Sequence, residues 1–157
     1  MNLAEILRVS RHGNDVWVGT GPTYPWGSLY GGQIVAQGLL AGGFSVGEEY
    51  RVHSVRAYFI RRGTHAQPVR YEVERIRDGR RLCTRREVAR QDGVAILNLE
   101  ASFQRAEESE DIETVALDPN LPTPRELEES SWSPAFRRVP IPDAPLRQGS
   151  GRAAAWM

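Results

Sequence analysis

Three stretches between Val69 and Gln104 alternate apolar and polar residues with the two-residue period of a strand that buries one face. In Val69 to Arg77, the residues Val69, Tyr71 and Val73 interleave with Arg70, Glu72 and Glu74. Leu82 to Gln91 is rich in arginine, and in Val94 to Gln104 the inward positions fall to Ala95, Leu97, Leu99, Ala101 and Phe103. Asp78-Gly79 and Asp92-Gly93 separate the three runs, and Asp-Gly is a strong hairpin signal. An antiparallel meander is predicted. Arg51 to Ile60 alternates as well, so that His53, Val55, Ala57 and Phe59 share the face expected to be buried, and Val16 to Thr20 predicts a short first strand.

The pattern changes period in YGGQIVAQGLLAGG, Tyr30 to Gly43. Ile34, Val35, Leu39 and Leu40 fit one face of a helix, with Ser28 as a candidate N-cap, while Ala36, Gly38 and Ala41 leave the other sides small. A glycine inside a helix costs about 1 kcal/mol against alanine, so Gly38 predicts a close backbone approach. A second, short helix is expected over residues 2–9, followed by a polar turn from His12 to Asp15. The fold class predicted is α+β, one long helix against a curved antiparallel sheet. After Arg105 the periodicity stops. The acidic run Glu107 to Glu113 and the prolines at 119, 122, 124, 134, 140, 142 and 145 predict a connector with at most a short helix between Arg125 and Ser130. The expected division is thus a domain over residues 1–105 and an acidic, proline-rich connector or tail over 106–157.

Composition adds two constraints. The 20 basic residues equal the 20 acidic ones and all are arginine, which removes the net-charge argument for nucleic-acid or membrane-surface partners. Cys83 is the one cysteine and cannot form an intrachain disulfide, which fits a cytoplasmic protein. No segment approaches the ~20 apolar residues that span a bilayer.

Candidate chemistry starts at the head of the Tyr30–Gly43 helix. Gly31, Gly32 and Gln33 would expose N–H groups at the positive end of the helix dipole, suited to an oxyanion or a phosphate. Gln33 can orient water or a carbonyl, or satisfy its own helix terminus. His53 can carry a proton near that site or serve as a hydrogen-bonded core residue. A general base is hard to find, because Val16 to Gly47 contains no Asp or Glu. Asp78 and Asp92 belong to turns, and Glu48 and Glu49 to an exposed one. Arg75, Arg77, Arg80, Arg81, Arg85 and Arg86 are read mainly as a solvated surface that can also meet phosphates. His12 and His65 have no companions at ligating spacing, so no metal site is predicted.

The segments YGGQIVAQGL, VHSVRAYFIRRG, VRYEVERIRDGRRLCTRREVARQDG and ILNLEASFQ closely resemble the amino-terminal half of TesB-type acyl-CoA thioesterase II, a double-hotdog enzyme. The resemblance spans about Val16 to Gln104 and includes Gly31, Gly32, Gln33, His53 and the Asp78-Gly79 hairpin. It implies a hotdog fold, hydrolysis of fatty acyl-CoA to free acid and CoA without a bound cofactor, and a second repeat of comparable size. It also implies that the family's catalytic aspartate, hydroxyl residue and glutamine lie in that second repeat, so none is carried over here. GRAAAWM resembles the connector preceding it. Arg62 departs from the family's arginine-proline-glycine turn. Two functions stay open: a thioesterase represented by its first repeat, and a non-catalytic acyl-CoA-binding module whose chemistry comes from a second repeat or partner chain. An enoyl-CoA hydratase is a weaker third. A single hotdog sheet leaves an unpaired edge, with Leu82 to Gln91 and Arg51 to Ile60 as candidates, so pairing with a second copy into a homo-oligomer is expected.

Overall fold

The alternating runs become the centre of a six-stranded antiparallel sheet. The computed structural model describes residues 2–110, 112, 114, 119–130, 137–141 and 155–156. They fall into two compact units, one of residues 4–108 and one of residues 1–3 with 109–157. The first unit holds β1 (Val9–Gly13), β2 (Val16–Gly19), α2 (Gly31–Gly43), β3 (Tyr50–Phe59), β4 (Val69–Asp78), β5 (Leu82–Gln91) and β6 (Val94–Arg105), while α1 is a single turn at Leu3–Ile6. The strand order is β1-β2-β4-β5-β6-β3. The β4-β5-β6 meander forms as its Asp-Gly turns predict, and Asp92 and Gly93 both take positive φ, 47° and 75°, as a tight primed turn requires.

Alternation fixes which face is buried. Val69, Tyr71 and Val73 of β4 and Leu97, Leu99, Ala101 and Phe103 of β6 are buried beneath α2. The helix lies on that face through Gln33, Ile34, Gln37, Gly38, Ala41 and Gly42. This stripe differs from the expected one: Leu40 is exposed, and two glutamines and two glycines occupy the buried side. Small residues let the backbone approach the sheet, but the tight point is not Gly38, where a Cβ would meet Tyr71 and Leu99 at an ordinary 3.6 and 3.7 Å; it is Gly42, where a Cβ would lie 1.9 Å from Glu87 Oε1.

Four other expectations are corrected. Residues 9–13 form strand β1, paired with β2, where helix and turn were expected; the segment VSRHG is largely exposed and so carries no apolar alternation to betray it. Ser28 does not cap α2, whose N-cap is Tyr30 with no side-chain cap bond. Leu82–Gln91 is not an edge, because β5 is flanked by β4 and β6; β3 is one edge of the sheet and β1 the other. His53 does not join the buried face. Val52 opposes Phe103 and Ser54 opposes Ser102, so His53 is the extra residue of a β-bulge; the helix-side phase resumes at Val55, Ala57 and Phe59, but at this sheet edge Val55 and Phe59 are exposed and only Ala57 is partly covered.

In the second unit, a 3-10 turn at Pro124–Glu126 is held by a capping box in which Thr123 N–H and Oγ1 donate to Glu126 Oε2 at 2.7 and 2.8 Å. Val139–Pro140 pairs with Ala155–Trp156 as a two-stranded ribbon. The expected connector over Pro134, Pro142 and Pro145, and most of GRAAAWM, lie outside the described residues.

Candidate functional site

The first turn of α2 starts where a proline- and glycine-containing loop, Thr20 to Tyr30, delivers the chain to the sheet. Ile34 N–H is the first to find an acceptor in the helix, the Tyr30 carbonyl at 3.2 Å, so the N–H groups of Gly31, Gly32 and Gln33 precede the ladder. Gly31 abuts the Phe59 ring: a Cβ there would lie 2.9 Å from a ring carbon. Close by, Leu29 N–H donates to the Gly63 carbonyl at 2.9 Å, tying the loop after β3 to the helix entrance. Tyr24, Trp26 and Tyr30 wall the entrance, Trp26 stacked on Tyr24 with centroids 5.0 Å apart and Tyr30 edge-on to Trp26 at 6.2 Å.

Gln33 is buried and committed. Its Oε1 accepts from the Tyr24 hydroxyl at 2.8 Å and its Nε2 donates to the Thr20 carbonyl at 3.0 Å. Burial and the neighbouring Tyr30 push the Tyr24 hydroxyl pKa up, keeping it a donor. One helical turn on, Gln37 repeats the device: Nε2 donates to the carbonyls of Ile6 and Thr20 at 2.6 and 3.0 Å, and Oε1 accepts from the Tyr71 hydroxyl at 2.7 Å. Both amides fit only because Gly19 and Gly21 face them. A Cβ on Gly19 would stand 2.7 Å from Gln37 Oε1, and one on Gly21 2.4 Å from Gln33 Nε2. Gln37, Tyr24 and Tyr71 were not singled out from the sequence; the signal was the i, i+4 glutamine pair with a Gly-x-Gly upstream.

Gln33, Gly31 and Gly32 thus come together at the head of α2, whereas His53 is placed elsewhere. It is exposed, hydrogen-bonded through Nε2 to Ser102 Oγ at 2.9 Å, on the sheet face opposite α2. The carboxylates are equally distant in role. Glu49 pairs with Arg105 at 2.9 Å, and Asp15 takes a bidentate bond from Arg75 at 2.8 and 2.9 Å that lowers its pKa. Asp78, beyond its turn, bonds to Arg85, and Arg85 is fully buried rather than solvated. Among the described residues no three His, Cys, Asp or Glu side chains cluster at ligating distance, and no helix is long and apolar enough to cross a membrane.

An antiparallel sheet lying on one glycine-rich helix defines the hotdog class. Among solved structures, a hot dog fold protein from Alicyclobacillus acidocaldarius superposes with a TM-score of 0.74 over 93% of this chain and 57% of its own at 20% identity. The tesB protein of Mycobacterium avium subs paratuberculosis gives a TM-score of 0.69 at 31% identity, over 88% of this chain and 59% of that one. Residues 20–104 match the acyl-CoA thioesterase N-terminal domain family, and the chain belongs to that family. Acyl-coenzyme A thioesterase 8 of Mus musculus is 35% identical over 156 residues, which is 99% of this chain and 47% of the relative. The chain therefore spans about half the length of the relatives it matches.

Proposed function

We propose that the chain is the first hotdog repeat of an acyl-CoA thioesterase and that it binds and polarises the thioester carbonyl of fatty acyl-CoA. The observation that carries this reading is the head of α2, where the N–H groups of Gly31, Gly32 and Gln33 precede the hydrogen-bond ladder at the positive helix end. In that position they stabilise the oxyanion formed when water attacks the thioester, before the CoA thiolate leaves. Gln33, bonded on both sides of its amide, acts as the clamp that orients the helix head. The region Val16 to Gly47 supplies no carboxylate to activate the water, so the base comes from a second repeat or a partner chain. That same gap favours the second reading, a module that only binds acyl-CoA. No bound cofactor is needed by either reading, and the single buried Cys83 supports a reducing, cytoplasmic setting.

The isolated chain is expected to hydrolyse medium- and long-chain acyl-CoAs poorly. A steady-state assay decides: turnover of about 1 per second or more would place a base within these residues and overturn the division of labour. Acyl-CoA binding without turnover, converted to turnover by adding a second hotdog repeat of the family, supports the enzyme; binding with no gain supports the module.

Self-association through β3 follows from its position. It is a sheet edge, ten residues long, with Val52, Val55 and Phe59 exposed on the helix side, Phe59 at 60%. An edge of this kind takes up another strand, and a second copy about a two-fold axis is the simplest source. Sedimentation velocity is expected to show a dimer at tens of micromolar; a sharp monomer that persists there without aggregation counts against pairing.

A further inference from the structure

Glu87 takes no part in the site described above, yet it is a fully buried carboxyl with no hydrogen-bond partner. It points from β5 into the space under α2. Its neighbours in register are Val73 on β4 and Leu99 on β6, both buried and apolar. From above it meets the helix backbone itself. A Cβ built on Gly42 would come within 1.9 Å of Glu87 Oε1, so the carboxyl lies directly against α2.

Few charges face it. The helix, GGQIVAQGLLAGG, contributes no titratable residue. From β4 the buried Tyr71 hydroxyl shares this face of the sheet and is already donated to Gln37. Glu100 on β6 is a like charge that opposes ionisation. Arg85, two residues away on the same strand face, is the one cation that favours the carboxylate, but its guanidinium nitrogens are taken by Ser45 Oγ, the carbonyls of Ser45, Arg77 and Thr84, and Asp78. A carboxylate without partners in an apolar site is strongly disfavoured against the neutral acid.

We propose that Glu87 is a proton-controlled seat for α2: as a neutral acid it lets the helix lie against the sheet at Gly42, and on ionisation it loosens the carboxyl-terminal half of the helix. This holds whatever the site at the helix head hydrolyses. Burial pushes the Glu87 pKa up from 4.5 to about 8. The folded chain then holds the proton more tightly than the unfolded one, so the contribution to stability is complete below about pH 4.5 and is lost as the pH rises through about 8. Between those limits unfolding releases one proton, and the unfolding constant rises about tenfold per pH unit before levelling.

The test is denaturant unfolding of the 157-residue chain in steps from about pH 5 to pH 9, beside Glu87→Gln, which keeps the shape and cannot ionise. The ratio of wild-type to variant unfolding constants is expected to climb about tenfold per pH unit and to flatten above about pH 8. A ratio that stays constant across the range overturns the proposal. Should the variant fail to fold, carbon-13 NMR of glutamate-labelled wild type replaces it. One side-chain carboxyl titrating near pH 8 supports the seat, and titration of all of them below about pH 6 overturns it. Amide exchange corrected for its intrinsic pH dependence locates the motion: at about pH 9 Gly38 to Gly43 is expected to exchange through openings of lower free energy than those that expose β6, and equal opening free energies in the two elements overturn the local seat.

Discussion

Arg85→Met is expected to lower the stability of the chain by about 3 kcal/mol, read as a fall in the denaturant midpoint at unchanged slope. The side chain is fully buried, and it cross-links three elements of the fold. Nε donates to Ser45 Oγ at 2.6 Å and Nη2 to the Ser45 carbonyl at 3.1 Å, just past the carboxyl end of α2, while Nη1 donates to the Arg77 and Thr84 carbonyls on β4 and β5 at 2.9 and 3.0 Å. Methionine fills much of the volume but leaves these acceptors short of donors inside the protein, where each lost charged hydrogen bond costs about 1.5–3 kcal/mol before relaxation. Lysine is no substitute, because its single ammonium cannot span acceptors on both sides of the strand. The ion pair with Asp78 adds little: Asp78 is 57% exposed, so Asp78→Asn is expected to cost under about 1 kcal/mol. Equal losses for Arg85→Met and Asp78→Asn would show that the charge pair, not the backbone cross-link, holds the two elements together.

Gln37→Leu is expected to cost about 2–4 kcal/mol, although it replaces a polar residue in the core by an apolar one of similar size. The reason is what the amide leaves behind. The Tyr71 hydroxyl is fully buried with Gln37 Oε1 as its acceptor, and the Ile6 carbonyl loses a donor at 2.6 Å. Thr20 keeps one donor through Gln33. Tyr71→Phe removes only the hydroxyl and strands one amide oxygen, so about 1–2 kcal/mol is expected. The double variant should be less damaging than the sum of the two, since a leucine facing a phenylalanine leaves no orphaned polar atom between helix and strand. Strict additivity in thermal or denaturant unfolding would mean that the Tyr71–Gln37 bond is not the coupling between helix and sheet.

Arg85 and Gln37 mark where the sequence could and could not be read. Strands β4 and β6 were legible because a sheet covered on one face sorts apolar from polar residues two by two, and the Asp-Gly pairs mark their ends. The same period applied to β5 starting from Cys83 places Arg85, Glu87, Ala89 and Gln91 on the inward side, as the structure does. Chemical type argued the other way, since arginine and glutamate ordinarily face water. In α2 the apolar stripe was misread for a related reason: contact with the sheet is made through small residues and amides, leaving Leu40 outside. His53 was lost to a bulge, which inserts one residue into the count without any mark in the sequence. At the site, the N–H groups at Gly31 to Gln33 follow from helix geometry alone. The double commitment of Gln33 depends on Tyr24 and Thr20, whose loop has no periodicity from which to infer its path.

The strand order carries a consequence for biosynthesis. β3 has a single neighbour in the sheet, β6, and β6 is the last strand of the domain in sequence. A ribosome therefore releases Tyr50–Phe59, with its exposed Val52, Val55 and Phe59, before residues 94–105 exist to pair with it. β4 and β5 can zip into a hairpin as they emerge, but β3 must wait through both of them as an open strand. For that interval the nascent chain presents an unsatisfied edge with exposed apolar side chains to its surroundings, open to a chaperone or a neighbouring polysome.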